Sequence, residues 1–220
     1  DNKTVSVLVD FLNNGAFDSL DYPIASGKEA IVFRASVGAE FVAVKVFKYE
    51  TSSFHHMLKY VVGDPRFKAD KVKHNKRGLV KLWAKKEYAN LLGCASAGVR
   101  VPEPLACKEN VVVMELLGKG GVPCALLEDV VVAEPDKMLD DILGDVKKIY
   151  AAGLVHADLS SFNIIVKDEI PYIIDLGQAV SLQHPLAQEF LEKDLLNVLN
   201  YFEKIGAERD FKTTLEWIKS

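Results

Sequence analysis

The sequence predicts an α+β chain folded as two lobes, the first rich in strands and the second in helices. Strand-like runs dominate the first half and helical periodicity the second, and one glycine-rich joint, Gly118-Lys119-Gly120-Gly121, separates them. The boundaries follow as residues 1–113 for an N-terminal helix with a β-rich lobe, 114–121 for a hinge and 122–220 for the second lobe. A chain of 220 residues with 49% hydrophobic and 26% charged side chains is long enough to bury a core, and its composition excludes disorder.

Each element has its own signal. Val5, Leu8, Val9, Phe11 and Leu12 recur at helical spacing within residues 4–13, and Asn14-Gly15 supplies the stop. Residues 30–36 and 40–47 read as strands joined by Val37-Gly38-Ala39, which is a hairpin. Residues 48–77 break the pattern as a polar loop containing Gly63-Asp64-Pro65. A helix is predicted over 79–97 with Gly98 at its end, then a buried strand over 111–116. Beyond the joint, 138–152 is helical, 164–167 and 172–174 form a hairpin about Asp168-Glu169, and 185–205 is a long helix.

The formal net charge of −4 argues against a surface that coats nucleic acid throughout. The segment 66–77 is the local exception. There Arg66, Lys68, Lys71, Lys73, Lys76 and Arg77 face one acid, Asp70: six against one, a net of +5. It reads either as a solvated loop or as a mobile basic loop that docks on RNA phosphates. Cys94, Cys107 and Cys124 match no zinc or disulfide spacing, so buried reduced thiols are expected. With no leader-like segment and no apolar run of membrane-spanning length, a cytoplasmic protein without membrane contact is expected.

The chemistry-bearing residues are His156-Ala157-Asp158-Leu159-Ser160-Ser161-Phe162-Asn163, followed by Ile173-Ile174-Asp175-Leu176-Gly177. Taken singly, three polar residues at strand ends are ordinary turn residues. The full spacing is what phosphoryl transfer from ATP requires: one carboxylate to orient the attacking hydroxyl, and other oxygen ligands to hold Mg²⁺ (or Mn²⁺) on the phosphates. Asp158 is therefore the candidate base, and Asn163 and Asp175 the candidate metal ligands. His156 is expected to pack and hydrogen-bond to backbone.

Upstream, Phe41-Val42-Ala43-Val44-Lys45 places one lysine on an apolar strand, where it either snorkels to water at an edge or binds the α/β-phosphates. The aspartate–asparagine–aspartate set downstream favours the phosphate role. A buried ammonium needs a carboxylate partner. Val80, Trp83, Glu87 and Leu91 share one helix face, which makes Glu87 that partner. The segment Ile24 to Phe33 keeps only Gly27 and Val32 of a G-x-G-x-x-G-x-V loop, yet its small residues let amides approach phosphate, and Ser26 and Lys28 add donors. Met114-Glu115-Leu116-Leu117 is either a plain strand-to-linker transition or an adenine site, with the Glu115 carbonyl and Leu117 amide as contacts and Met114 as gatekeeper.

These details resemble the RIO family of atypical serine kinases, type-1 subgroup. Ser26-Gly27-Lys28-Glu29-Ala30, Tyr60-Val61-Val62-Gly63-Asp64-Pro65-Arg66-Phe67, Val155 to Ser160, Asp175 to Val180 and the helix after His184-Pro185 carry the resemblance, which spans most of residues 20–205. It implies a two-lobed protein-kinase-like fold with a reduced C-terminal lobe, lacking the activation loop and peptide-binding subdomain. Three departures from ordinary protein kinases agree: Ala157 replaces the arginine of H-R-D, Ser160 stands where a lysine is usual, and 43 residues follow Gly177. The resemblance further implies serine/threonine phosphorylation, usually as autophosphorylation, and a role in maturing the small ribosomal subunit, with ATP hydrolysis driving release from the pre-ribosome. The pre-ribosomal particle and its RNA, met through 66–77, are the expected partners, and Ser52 or Ser53 the expected autophosphorylation sites. A small-molecule kinase of aminoglycoside-phosphotransferase type shares the later motifs and is the alternative. A pseudokinase is disfavoured by the intact Lys45, Asp158, Asn163 and Asp175.

Overall fold

The computed structural model describes residues 1–50, 54–67 and 75–220. They form two compact units, the first comprising Asp1–Val62, Phe67–Leu92 and Pro102–Pro123, and the second Gly63–Arg66, Gly93–Val101 and Cys124–Ser220.

The first unit opens with helix α1 (Asn2–Asn13), whose first turn is capped by Asp1 Oδ1 accepting from the Thr4 N–H at 3.0 Å. Gly15 ends it in the left-handed region, at φ 71°. Strands β1 (Ser19–Ser26), β2 (Ala30–Val37) and β3 (Glu40–Phe47) form an antiparallel meander. Helices α2 (Phe54–Val61) and α3 (Lys76–Ser96) follow, then β4 (Pro104–Lys108) and β5 (Val111–Glu115), which complete a sheet of order β1-β2-β3-β5-β4. Val7 and Phe11 of α1 join Phe17, Ala35, Val42, Val44, Val111 and Val113 in one core. That alternation on β3 and β5 reflects the two-residue period of strands.

Three expectations are corrected here. Residues 19–26 form a strand that the sequence hides, because Asp21 and Pro23 are poor strand formers. The strand runs along the sheet edge, where proline is tolerated, and its register shifts at Asp21 and again just after Pro23. Residues 54–61 are not loop but α2, which buries Met57, Tyr60 and Val61 at helical spacing. The glycine-rich joint is not a bare linker: β6 (Gly118–Lys119) and β7 (Val122–Pro123) pair as a small hairpin. Gly121, at φ 78°, lies against Phe41 and Arg34, where a Cβ would meet Phe41 Cε2 at 2.7 Å.

The second unit holds α4 (Pro135–Ala151), β8 (Leu154–Val155), β9 (Ile164–Lys167), β10 (Ile170–Ile173), β11 (Val180–Ser181), α5 (Ala187–Lys204) and α6 (Phe211–Lys219). Its core comes from Leu139, Ile142 and Ile149 of α4 with Phe190, Leu195, Val198 and Phe202 of α5. β8 pairs with β11, and β9 with β10 through a turn in which Asp168 and Glu169 both have positive φ. Helix α6 was not anticipated, since it buries only Thr214 and Ile218. It is started by Asp210, which accepts from the Thr213 N–H at 2.8 Å, and it packs on α4 and α5.

Cys94, Cys107 and Cys124 are free thiols, and burial pushes Cys94 up to about 12 and Cys107 up to about 11, which keeps both protonated and unreactive. Among the described residues no helix is long and apolar enough to cross a membrane.

Candidate active site

In the second unit, β8 delivers the chain into the loop that carries Asp158. Ala157 there is left-handed, at φ 70°, a conformation costly for a side chain with a Cβ. Helix α5 holds it in place. The Asp194 carboxylate accepts the N–H of Ala157 at 2.7 Å and of Leu159 at 2.8 Å, one on each side of Asp158, and Asn197 Nδ2 donates to the Leu159 carbonyl at 3.0 Å. Burial pushes the Asp194 carboxyl up to about 7, against the pull of those two N–H groups.

His156 is buried and its tautomer is set by its partners. Nε2 donates to the Ile174 carbonyl at 3.0 Å, and Nδ1 accepts the Asp158 N–H at 3.3 Å. This is the structural role expected of it. A 3₁₀ turn, Ser161–Asn163, folds Asn163 back so that Nδ2 donates to the Asp158 carbonyl at 2.7 Å, while the Asn163 carbonyl accepts the Ile174 N–H at 3.0 Å. Asp175 follows directly, at φ 61°. Asp158 and Asn163 on one loop are thus tied to the chain leading into Asp175 by two hydrogen bonds, from His156 to the Ile174 carbonyl and from the Ile174 N–H to the Asn163 carbonyl.

The donor set suits a hard divalent cation. With Nδ2 of Asn163 committed to backbone, its Oδ1 is the atom able to coordinate, and Asp175 offers a carboxylate from the second loop. No group of three or more His, Cys, Asp or Glu side chains able to hold a metal occurs among the described residues. Two protein oxygens completed by phosphate and water are the usual arrangement for Mg²⁺.

The Asp158 carboxylate is 38% exposed. Its Oδ2 accepts from Gln178 Nε2 at 2.8 Å, and Lys193 Nζ lies 3.5 Å from Oδ1. Gln178, Lys193, Asp194 and Asn197 were all missed by sequence reasoning. Asp194 did carry a signal: it sits on the apolar stripe of Phe190, Leu191, Leu195 and Val198, as Glu87 does on its own helix.

In the first unit, Lys45 Nζ lies 2.7 Å from Glu87 Oε1 and 2.9 Å from Oε2, with side-chain exposures of 11% and 2%. The expected pairing is therefore present, and Val80, Trp83 and Leu91 are buried on the same helix face. Lys45 is held at mid-strand, opposite Val32 on one side and Val112 on the other. Ser26, Gly27 and Lys28 form the exposed β1–β2 turn, in which the Gly27 N–H donates to the Ala30 carbonyl at 2.9 Å and Lys48 Nζ to the Gly27 carbonyl at 2.6 Å. Met114 pairs with Ala43, and Glu115 ends β5 with its N–H on the Glu103 carbonyl at 2.8 Å. Leu117 follows, buried.

The basic segment needs one correction. Arg66, though exposed, is tied within its own unit. Its Nε and Nη2 donate to Asp64 at 2.9 and 2.7 Å, and Nη2 also reaches the Ala179 carbonyl at 3.3 Å, while Asp64 Oδ2 accepts the Ser181 N–H at 3.3 Å. Lys76 and Arg77 are exposed, with the Arg77 guanidinium 5.1 Å from the Tyr49 ring centre. Lys68, Asp70, Lys71, Lys73, Ser52 and Ser53 lie outside the described residues.

A strand lysine clamped by a helix glutamate, together with an aspartate–asparagine–aspartate set on two stitched loops, defines the protein-kinase class of phosphotransferase. Comparison with known proteins narrows this. The RIO domain family model matches residues 31–214. The chain is 41% identical over 219 residues to the RIO-type serine/threonine-protein kinase Rio1 of Haloferax volcanii, covering 99% of this chain and 75% of that protein. It is also 41% identical over 189 residues to the Rio1 of Thermoplasma acidophilum, covering 86% and 99%, and 37% identical over 206 residues to human serine/threonine-protein kinase RIO1, covering 92% and 36%. Two structures of the Rio2 kinase from Chaetomium thermophilum share the fold, with TM-scores of 0.73 and 0.74 at 21% and 23% identity. They cover 97% and 95% of this chain, which spans 65% and 66% of theirs. The chain belongs to the RIO family of serine/threonine-protein kinases, in its Rio1 group.

Proposed function

We propose that this protein transfers the γ-phosphoryl group of ATP to serine or threonine hydroxyls, its own included, and acts on a precursor of the small ribosomal subunit, with ATP hydrolysis as a second output. The observation that carries the chemistry is the stitched placement of Asp158, Asn163 and Asp175. In this reading Asp158 orients the acceptor hydroxyl and takes its proton. Asn163 and Asp175 hold Mg²⁺ (or Mn²⁺), which neutralises phosphate charge when bound. Lys45, kept in place by Glu87, contacts the α/β-phosphates, and the backbone of Ser26, Gly27 and Lys28 covers them. The Glu115 carbonyl and Leu117 amide read adenine beside Met114, and residues 114–121 serve as the hinge between lobes 1–113 and 122–220. One Rio2 structure is an ADP/Mg²⁺-phosphoaspartate complex, which supports a magnesium nucleotide here.

The ribosomal target rests on the family resemblance and on the basic character of 66–77. The test is incubation of the purified protein with γ-labelled ATP, with and without small-subunit precursor particles. Labelled serine or threonine in the wild type, absent from Asp158→Asn and altered by the particles, is the expected result. Transfer to an aminoglycoside with no protein labelling would move the protein to the small-molecule kinases.

A further inference from the structure

Phosphoryl transfer places negative charge on the moving group and requires cations close to it. The loop 156–163 contains no lysine or arginine, and Ser160 occupies the position two residues after Asp158. The cation beside Asp158 comes from elsewhere. We propose that Lys193, on α5, is a further catalytic residue, its ammonium contacting the phosphoryl group as it passes to the acceptor; this rests on the reading of Asp158 as the base.

Three features separate Lys193 from an ordinary surface lysine. First, its Nζ lies 3.5 Å from Asp158 Oδ1. Second, its helix is registered against the loop by two side chains that follow it in the chain. Asp194, the next residue, accepts the N–H groups flanking Asp158, and Asn197, one turn on, donates to the Leu159 carbonyl. The root of Lys193 is therefore fixed relative to Asp158, while its side chain, 53% exposed, keeps room to engage a ligand. Third, Gln178 Nε2 donates to Asp158 Oδ2 at 2.8 Å, a closer contact than Lys193 makes with Oδ1, so we place the acceptor hydroxyl on Oδ1.

The distances then chain together. An acceptor oxygen in hydrogen-bond reach of Oδ1 sits about 2.6–3.2 Å from it, and a γ-phosphorus poised for attack about 3–3.5 Å further on. A lysine already 3.5 Å from Oδ1, on a flexible four-carbon stem, reaches an oxygen of that phosphoryl group. In the step itself the hydroxyl oxygen forms a bond to γ-phosphorus, and the bond from phosphorus to the β–γ bridging oxygen breaks, its electron pair leaving on ADP. The hydroxyl proton passes to Asp158 Oδ1 and then to solvent. Lys193 stays protonated throughout and balances charge on the phosphoryl oxygens.

The experiment measures single-turnover transfer from ATP, with kcat and the ATP KM, in wild type, Lys193→Met, Lys193→Arg and Asp158→Asn. Loss of one such electrostatic contact lowers kcat by about 10²–10³-fold. Lys193→Met is expected to show a loss of that order with an ATP KM within about threefold of wild type, and Lys193→Arg to restore most of it. Melting curves identify any variant that fails to fold, and Lys193→Gln then replaces Lys193→Met. Near wild-type kcat in Lys193→Met alongside an inactive Asp158→Asn would overturn the proposal and leave Asp158 as base. An increase in KM alone, or a loss that arginine does not relieve, would overturn it too. An active Asp158→Asn would remove the underlying reading along with it.

Discussion

Removing Glu87 tests how the phosphate-binding lysine is held. Lys45 Nζ lies 2.7 and 2.9 Å from the two carboxylate oxygens, and both side chains are nearly closed to water. At about 3 Å and an effective dielectric near 20, the attraction between the two charges is roughly 5 kcal/mol. Desolvating two ions offsets much of that, so the intact pair contributes little net stability. Deleting one partner differs, because the remaining charge stays desolvated without its counter-ion, at a cost of about 3–5 kcal/mol. Glu87→Leu and Lys45→Met should each destabilise the fold by this order, and the double variant by much less than their sum. Urea midpoints at constant m-value measure the stability cycle, and ATP turnover measures the same cycle in function. A coupling of at least about 2 kcal/mol is expected; additivity within about 0.5 kcal/mol would refute the pairing as an energetic unit.

Two further predictions separate roles within the second unit. Asp158→Asn should abolish turnover with nucleotide affinity kept within about threefold, whereas Asp175→Ala should also weaken Mg²⁺-dependent nucleotide binding; calorimetric titrations showing equal losses would contradict the division of base from ligand. Asp194 is held up to about 7 from an ordinary 3.8, so between those values the native state keeps a proton that the unfolded chain has released. Its contribution to stability should therefore be full below about pH 4 and decline as pH rises to 7, by on the order of 1 kcal/mol per unit. Asp194→Asn should flatten that slope in urea unfolding series at pH 5, 6 and 7, and an unchanged slope would show that the carboxyl is ionised throughout.

What the sequence made legible follows from how local the cause is. The hairpin of β2 and β3 needs only two apolar strands and Gly38 in a left-handed turn, all within eighteen residues. Glu87 was legible because a charge on an apolar helix stripe demands a partner, and Lys45 offered one from among the apolar residues of its strand. β1 and α2 were not, since each is stabilised by what it packs on. β1 gains its place from pairing with β2 despite Asp21 and Pro23, and α2 is an eight-residue helix too short to hold itself in water without buried Met57, Tyr60 and Val61.

The candidate site divides along the same line. Asp158, Asn163 and Asp175 announce themselves by spacing, because one loop and one adjacent hairpin present them. Gln178 and Lys193 reach Asp158 across 20 and 35 residues of chain, and nothing local distinguishes them from any other glutamine or lysine. Arg66 shows the converse error. A window of sequence counts it among six basic residues, yet its guanidinium is consumed by Asp64 and the Ala179 carbonyl, next to the residue that holds Asp158. Charge available to a partner is therefore smaller than charge present in the window. The segment 63–66 acts on the strand following Asp175, and the proposed contact with RNA phosphates falls to the basic residues after it.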